Sequence, residues 1–311
     1  MTAFLGFDTS NYTTSAALFF PDTQTVRQEK KLLPVPQGER GLRQSDCVFH
    51  HTAQLPQVTE RLLETPVPIQ GVCASTTPRM QEGSYMPCFL VGAGAGKIAA
   101  KASGVPFYET SHQHGHIAAA AFGAGRLDLL ETRFLAFHVS GGTTEAVLAE
   151  PDETEVLRCT LVAQSLDLKA GQAIDRVGVL LGLPFPCGAA LEQLAANSDR
   201  EFRIRPTLRD GCPSLSGIEN QCRAMIDRGE MPADTAKYCL QSVEAALEKM
   251  TEHLLLQYGD LPLLYAGGVT SNGMIRDHFT ARFGAHFAPP SLSADNAAGV
   301  AIIGYLKQER E

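Results

Sequence analysis

The residues of this chain best suited to chemistry are His112 and His116, in the run SHQHGHIAAAAF. Ser111 is a good helix N-cap and small apolar residues follow it, so the run predicts a helix opening at His112. Residues four apart project from one helical face, which sets His112 and His116 side by side while His114 points elsewhere. Two imidazoles so placed can hold one Zn2+ or Fe2+ and leave positions open for a third ligand and a substrate. From spacing alone, a solvated His-rich helix start accounts for the run equally well. A zincin peptidase needs Glu directly after the first His as its general base; Gln113 stands there, which disfavours that chemistry.

A second set of polar groups sits in a repeat. Phe4 to Leu18 reads FLGFDTSNYTTSAAL and Phe134 to Leu148 reads FLAFHVSGGTTEAVL, with eight of fifteen positions identical. Each copy is an apolar run, a turn rich in Ser, Thr and Gly or Asn, and a second apolar run, which predicts a β-hairpin. Tips crowded with hydroxyls and backbone N–H groups suit a phosphate or other anion. Two copies so far apart predict two related lobes facing each other across a cleft.

The remaining elements must position these groups. Asp46 is expected to cap a helix running to about Glu64, and Ile69 to Ser75 reads as a short buried strand. VGAGAGKIAAKASG fails as a P-loop, because Val91 and Ile98 occupy the places of its first Gly and its Ser or Thr; it reads as a small-residue helix ending at Gly104. LKAGQAIDRVGVLLGLPFPCG reads as a helix stopped at Gly182, on which Asp175 beside Arg176 is expected to form a surface ion pair. The run REFRIRPTLR predicts a strand with one basic face; the face could touch a nucleic acid, but an exposed edge protected by charge is the better explanation. A long helix from Pro232 to Tyr258 follows, then a strand ending in AGGVTSN and a helix start near Ser271, a combination that lets a ligand approach the backbone. Asp295 is placed to cap the terminal helix.

Composition narrows the function classes. A chain of 311 residues with 44% hydrophobic and 19% charged residues can build two cores, and its apolar runs are all too short to span a membrane. The start MTAFLGFDTS lacks the basic n-region of a signal peptide. Eight cysteines without a C-x-x-C pair predict reduced thiols in a cytoplasmic protein. A net charge of −8 means that any RNA contact is local or delivered by a partner.

The order of motifs (FDTSNYTTS, the His112/His116 pair, VSGGTTE, AGQAIDRVGVLLGLPFPCG, LSGIE, AGGVTSN and SADN) resembles the TsaD family, catalytic subunits of tRNA threonylcarbamoyladenosine synthesis, from Leu5 to about Tyr305. The resemblance implies an α/β, two-lobed fold of the actin, Hsp70 and sugar-kinase (ASKHA) type, with duplicated lobes and a nucleotide cleft between them. The lobes are expected at 1–130 and 131–293, with 294–311 a terminal helix returning to the first. It implies one divalent metal, Fe or Zn with Mg also admissible, on His112, His116 and Asp295. It implies an adenylate or ATP/AMP-type nucleotide held by His138, Val139, Ser140, Gly141, Gly142, Asp175, Gly188, Glu192 and Asn272, with Asp8 as the candidate catalytic carboxylate. The implied reaction moves threonylcarbamoyl from threonylcarbamoyl-AMP to an adenine amine of tRNA, in the cytoplasm, with TsaB/TsaE-like partners or as a homodimer. Tyr12 and Thr13 replace an acidic pair of the family, Thr143 replaces its His after Ser-Gly-Gly, and Glu219 and Asn220 follow LSGI in place of its Lys. Such a pattern suggests a diverged paralogue. A nucleotide-binding scaffold and, more distantly, a small-molecule kinase of the same fold are the alternatives.

Overall fold

Both hairpins form, and in one register. A computed structural model describes residues 1–10, 12–35, 42–293 and 297–311. In the first hairpin β1 (Ala3–Asp8) pairs antiparallel with β2 (Thr13–Phe20), from Phe4 opposite Phe19 to Asp8 opposite Ser15. In the second, β6 (Phe134–Val139) pairs with β7 (Thr144–Asp152), from Phe134 opposite Ala149 to Val139 opposite Thr144. Adding 130 to both members of a pair in the first hairpin gives a pair in the second.

The sheets repeat as well. The first runs β3-β2-β1-β4-β5, with β3 (Thr25–Leu32), β4 (Ile69–Thr77) and β5 (Phe107–Ser111). The second, taken from its other end, runs β8-β7-β6-β11-β12, with β8 (Val156–Gln164), β11 (Leu263–Ala266) and β12 (His286–Phe287). In each, the first hairpin strand also pairs in parallel with a later strand, β1 with β4 and β6 with β11. Strands β1 and β6 are central in their sheets and read as near-continuous apolar runs, as strands covered on both faces do.

The described residues form two compact units, one of Met1–Thr132, Glu150–Cys159 and Ser291–Glu311, the other of Arg133–Ala149 and Thr160–Pro290. In the first, helices α1 (Gln44–Leu62) and α2 (Phe89–Ser103) cover the sheet, burying Leu55, Val58, Leu62 and Ala100 against Leu5, Phe7 and Leu18. Helix α3 (His112–Gly123) leads to a 3-10 turn at Leu127–Glu131. The second unit holds α4 (Ala170–Leu180), α5 (Gly188–Ala195), the ribbon of β9 (Thr207–Arg209) and β10 (Cys212–Ser214), α6 (Ser216–Asp227), α7 (Pro232–Tyr258) and α8 (Gly273–Phe283). Pro232 starts α7 at the position where its missing N–H costs nothing. Tyr265 stacks on Phe137 with ring centroids 4.3 Å apart, joining the two central strands of this core. The short α9 (Pro290–Ser293) and α10 (Ala298–Glu309) end the chain.

Helix α10 fixes where α3 lies. A Cβ on Gly299 would sit 1.8 Å from the carbonyl oxygen of Gly115, so the two helix backbones cross at a distance only glycine permits. The same helix packs on β1, so one element locates both the strand that ends at Asp8 and the helix that starts at His112.

Four local expectations are corrected. Arg43 holds the N-cap position of α1, which leaves Asp46 inside the first turn. The N-cap of α10 is Ala297, while Asp295, with the rest of Ala294–Asn296, lies outside the described residues. Asp175 makes no ion pair with Arg176: its Oδ1 accepts from the Cys187 backbone N–H at 2.8 Å, and Arg176 reaches Glu219 at 3.1 Å. In REFRIRPTLR only Thr207–Arg209 is a strand; residues 201–206 belong to no helix or strand. Their alternation comes from lying along α7, with Phe202 edge-on to Tyr238 at 5.2 Å.

Candidate functional site

In the first unit the chemistry gathers at the end of β1. Asp8 is fully buried, and the Ser10 hydroxyl donates to its Oδ2 at 2.8 Å. The Ser75 hydroxyl donates to Oδ1. His112 Nδ1 lies 2.9 Å from Oδ2. A carboxylate only accepts, so His112 donates through Nδ1, and in the neutral ring its Nε2 carries the lone pair. The ring of His116 stands beside it, centroids 4.3 Å apart and nearly perpendicular. Ser111 caps α3 by accepting from the His114 N–H at 3.1 Å, which fixes the rotation of the helix. His114 turns inward; burial pushes its pKa down to about 4, so it stays neutral. Among the described residues no third His, Cys, Asp or Glu joins the pair in a set able to hold a metal.

The hydroxyls of this first tip work inward. Thr9 donates to the Cys88 carbonyl at 2.9 Å, and Thr14 donates to Gln54 Oε1 at 2.9 Å beside His51. Asp8, Thr9 and Ser10 are all buried, so the described residues of this tip do not form the open anion cradle the repeat suggests. Tyr12 is half-buried, its carbonyl accepting from the Leu33 N–H at 2.8 Å, and Thr13 is buried opposite Leu32.

The second tip is open. Ser140 Oγ accepts from the N–H groups of Gly142 at 3.3 Å and Thr143 at 3.1 Å, and both Gly141 and Gly142 are exposed. A Cβ on Gly171 would sit 2.6 Å from the nitrogen of Gly141, so the start of α4 presses directly against this loop. Behind it Gly267 packs against Val139 and His138. Asp175 holds the N–H of Cys187, the residue preceding Gly188 at the start of α5. Glu192, one turn along α5, accepts from the Gly273 N–H at 2.6 Å at the start of α8. Asn272 caps α8 by accepting from Ile275 N–H at 3.2 Å, while its own Nδ2 is buried with no hydrogen-bond partner among the described residues. His138, Val139, Ser140, Gly141, Gly142, Asp175, Gly188, Glu192 and Asn272 thus lie on one linked circuit of contacts within this unit.

A family model for tRNA N6-adenosine threonylcarbamoyltransferase, TsaD, matches residues 39–302. The chain belongs to the TsaD family. The tRNA N6-adenosine threonylcarbamoyltransferase of Thermus thermophilus is 30% identical over 314 residues, covering 98% of this chain and 93% of that protein. That of Methanopyrus kandleri is 27% identical over 284 residues, covering 88% and 79%. Among solved structures, full-length HypF in its phosphate- and nucleotide-bound form matches with a TM-score of 0.59 at 13% identity, over 99% of this chain and 46% of that one. The activator of 2-hydroxyisocaproyl-CoA dehydratase from Clostridium difficile, with bound ADPNP, matches with a TM-score of 0.55 at 13% identity, over 99% and 96%. The two mixed sheets with covering helices are the α/β ASKHA fold. Among the described residues no helix is long and apolar enough to cross a membrane.

For a TsaD chain, the pair on α3 has a support the sequence reading did not assign. Asp8, the candidate catalytic carboxylate, accepts from His112 Nδ1. Asp167 was also missed. Its carboxylate accepts from the hydroxyls of Ser214 and Ser216 and from the Leu215 N–H at 2.7 Å, clamping the start of the LSGIE helix. Burial opposes its charge, but these hydrogen bonds outweigh burial and hold the carboxyl well below the usual carboxylate range. The signal was present, an Asp shortly before a helix start, but its partners lie 47 to 49 residues away in sequence.

Proposed function

We propose that this protein transfers a threonylcarbamoyl group from threonylcarbamoyl-AMP to the adenine amine of a tRNA, releasing AMP. The observation that carries the reading is the Asp8–His112–His116 arrangement in a chain of this family. A buried carboxylate holding Nδ1 of one imidazole, with a second imidazole 4.3 Å away, supports a metal-binding pair over a solvated helix start. His112 and His116 fit a divalent metal, with Asp295 as the third ligand; imidazole and carboxylate suit Fe or Zn, and Mg is the other candidate. Such a metal would supply Lewis-acid polarisation.

The chain's own residues do the rest. The N–H groups of Ser140 and Gly142 donate within the loop, to the Thr143 carbonyl and Ser140 Oγ, which leaves the Gly141 N–H for the phosphate. At Gly141, Gly142 and Gly188 a Cβ would meet nothing within 4 Å, which leaves room for close approach. Asp175 and Glu192 each spend one oxygen on a helix start and keep the other to accept from ribose hydroxyls. The buried Nδ2 of Asn272 supplies a donor for the nucleotide. The protein works in the cytoplasm with TsaB/TsaE-like partners or as a homodimer.

The second reading is a nucleotide-binding scaffold without turnover, and Tyr12 and Thr13 favour it. Neither side chain replaces a carboxylate as a base near neutral pH. Incubation of the purified protein with threonylcarbamoyl-AMP, unmodified tRNA and metal separates the two: a modified nucleoside supports transfer, and tight adenylate binding without product supports the scaffold.

A further inference from the structure

Residues 201–209 form an arm with two distinct sides. Phe202, Ile204, Pro206 and Leu208 are half-buried, while Glu201, Arg203, Arg205, Thr207 and Arg209 are exposed. The inner side is pinned. Phe202 meets Tyr238 and Leu208 packs on the core of its unit, while at the exposed start of the arm Glu201 is held by Lys237 at 2.9 Å and Gln241 at 3.2 Å. Arg200 lies over the Phe202 ring at 4.7 Å and is paired with Glu230 at 2.6 Å. The outer side therefore presents arginines from a backbone that is fixed in place. Alternate residues of a fully extended chain lie about 7 Å apart, so Arg203 to Arg209 spans at most about 20 Å.

These arginines differ from their neighbours. Arg176 and Arg223 share Glu219, and Arg200 and Arg228 share Glu230. Arg203 and Arg205 have no carboxylate partner among the described residues. Arg209 reaches only Asp210 at 4.0 Å, where both side chains are at least 85% exposed and the pair is worth almost nothing. Edge protection does not explain Arg203 and Arg205, because 201–206 belongs to no sheet. A row of unneutralised guanidinium groups on one side of this segment, in a chain of net charge −8, is complementary to a polyanion, and the guanidinium fork matches phosphate oxygens.

The row is tied to the nucleotide circuit. Its strand β9 pairs with β10, whose Pro213 carbonyl accepts from Leu166 N–H at 2.9 Å. Asp167 grips Ser214 and Ser216, and α4 begins three residues later against Gly141.

We infer that Arg203, Arg205 and Arg209 form a phosphate-tracking strip that docks the RNA backbone on the second unit. This rests on the transferase reading only for the identity of the RNA. The strip fixes position and affinity and carries no sequence preference.

The test is equilibrium binding of a fluorescent, unmodified tRNA transcript to the full-length protein across a salt series, for wild type and R203Q/R205Q/R209Q. Each lost phosphate contact lowers the slope of log K against log salt by about 0.7–0.9, so the triple variant's slope falls by about 2. The Lys variant at all three positions retains most of the slope, and adenylate binding by the Gln variant stays at the wild-type level, which shows that it is folded. An unchanged slope, or a wild type that binds no transcript at low salt, overturns the strip. So does arginine-dependent binding of poly-glutamate in place of tRNA, which makes the row a site for an acidic protein. If the wild type binds tRNA through these arginines but forms no modified nucleoside, the transferase reading fails and the strip stands. If it modifies tRNA with the same salt slope in both proteins, the strip fails and the transferase reading stands.

Discussion

Asp8 Oδ2 and His112 Nδ1 lie 2.9 Å apart, with the Asp8 side chain fully buried and that of His112 only 22% exposed. The contact links the first copy of the repeated hairpin to the histidine pair and sets which imidazole nitrogen faces outward. Asp8→Asn replaces an acceptor oxygen with a donor that must face a serine hydroxyl or His112. We expect metal affinity to fall about 10–100-fold and stability to drop by about 1–3 kcal/mol. Chelator competition and urea unfolding measure the two effects, and an unchanged metal affinity removes Asp8 from the site.

His112→Ala and His116→Ala are each expected to lose bound metal while keeping the far-UV circular dichroism of the wild type, since both side chains are partly exposed at the start of α3. Metal content by mass spectrometry decides it. Equal occupancy in wild type and variants returns the pair to a solvated helix start.

Gly171 and Gly141 touch, yet they should respond differently to a methyl group. Gly171→Ala drives a Cβ into the backbone at Gly141 and should cost about 1–3 kcal/mol. Gly141→Ala meets open space, so its melting temperature should stay near the wild-type value while AMP binding weakens. Calorimetry of both variants, with and without AMP, tests the distinction. If Gly141→Ala binds AMP normally, Gly141 is not at the phosphate.

Asn272→Ser keeps a side-chain acceptor for the start of α8 but removes the buried Nδ2 donor. Stability should stay within about 1 kcal/mol, because Ser and Asn are comparable caps. Nucleotide affinity should fall about tenfold, the loss of one hydrogen bond of ordinary strength. Titration calorimetry reads both the affinity and its enthalpy, and wild-type affinity would show that the donor serves no nucleotide.

Asp167 gives the fold an acid-sensitive clamp. Its folded-state pKa is depressed, so its contribution is present above the unfolded carboxylate value of about 3.9 and is lost as pH falls through the folded value. The carboxylate is exposed enough for solvent to screen it, and the lost helix cap in Asp167→Ala is worth about 1 kcal/mol. Urea midpoints of wild type and Asp167→Ala should differ at pH 6 and draw closer toward pH 3. A gap that does not narrow places the contribution elsewhere.

The repeat was legible because identical residues at a shared spacing must make the same hairpin, and the pairing registers agree. The helix with His112 and His116 was legible from its cap and its period. What the sequence hid was the use of each tip. Asp8 and His138 occupy equivalent positions, but Asp8 is buried against α3 while Ser140–Gly142 beside His138 is open, and that difference comes from helices distant in the chain. REFRIRPTLR misled for a related reason: alternation records which side of an extended segment is covered, and α7 covers it as well as a sheet does. The Asp210–Gly211 pair, both residues at positive φ, marked the β9–β10 turn and was readable as a hairpin signal.

The most direct measurement is nucleoside analysis of tRNA after incubation with the purified protein, threonylcarbamoyl-AMP and Fe2+, Zn2+ or Mg2+ in turn. The account predicts threonylcarbamoyladenosine with at least one of these metals and none from the His112→Ala variant. No modified nucleoside with any of the three metals contradicts it.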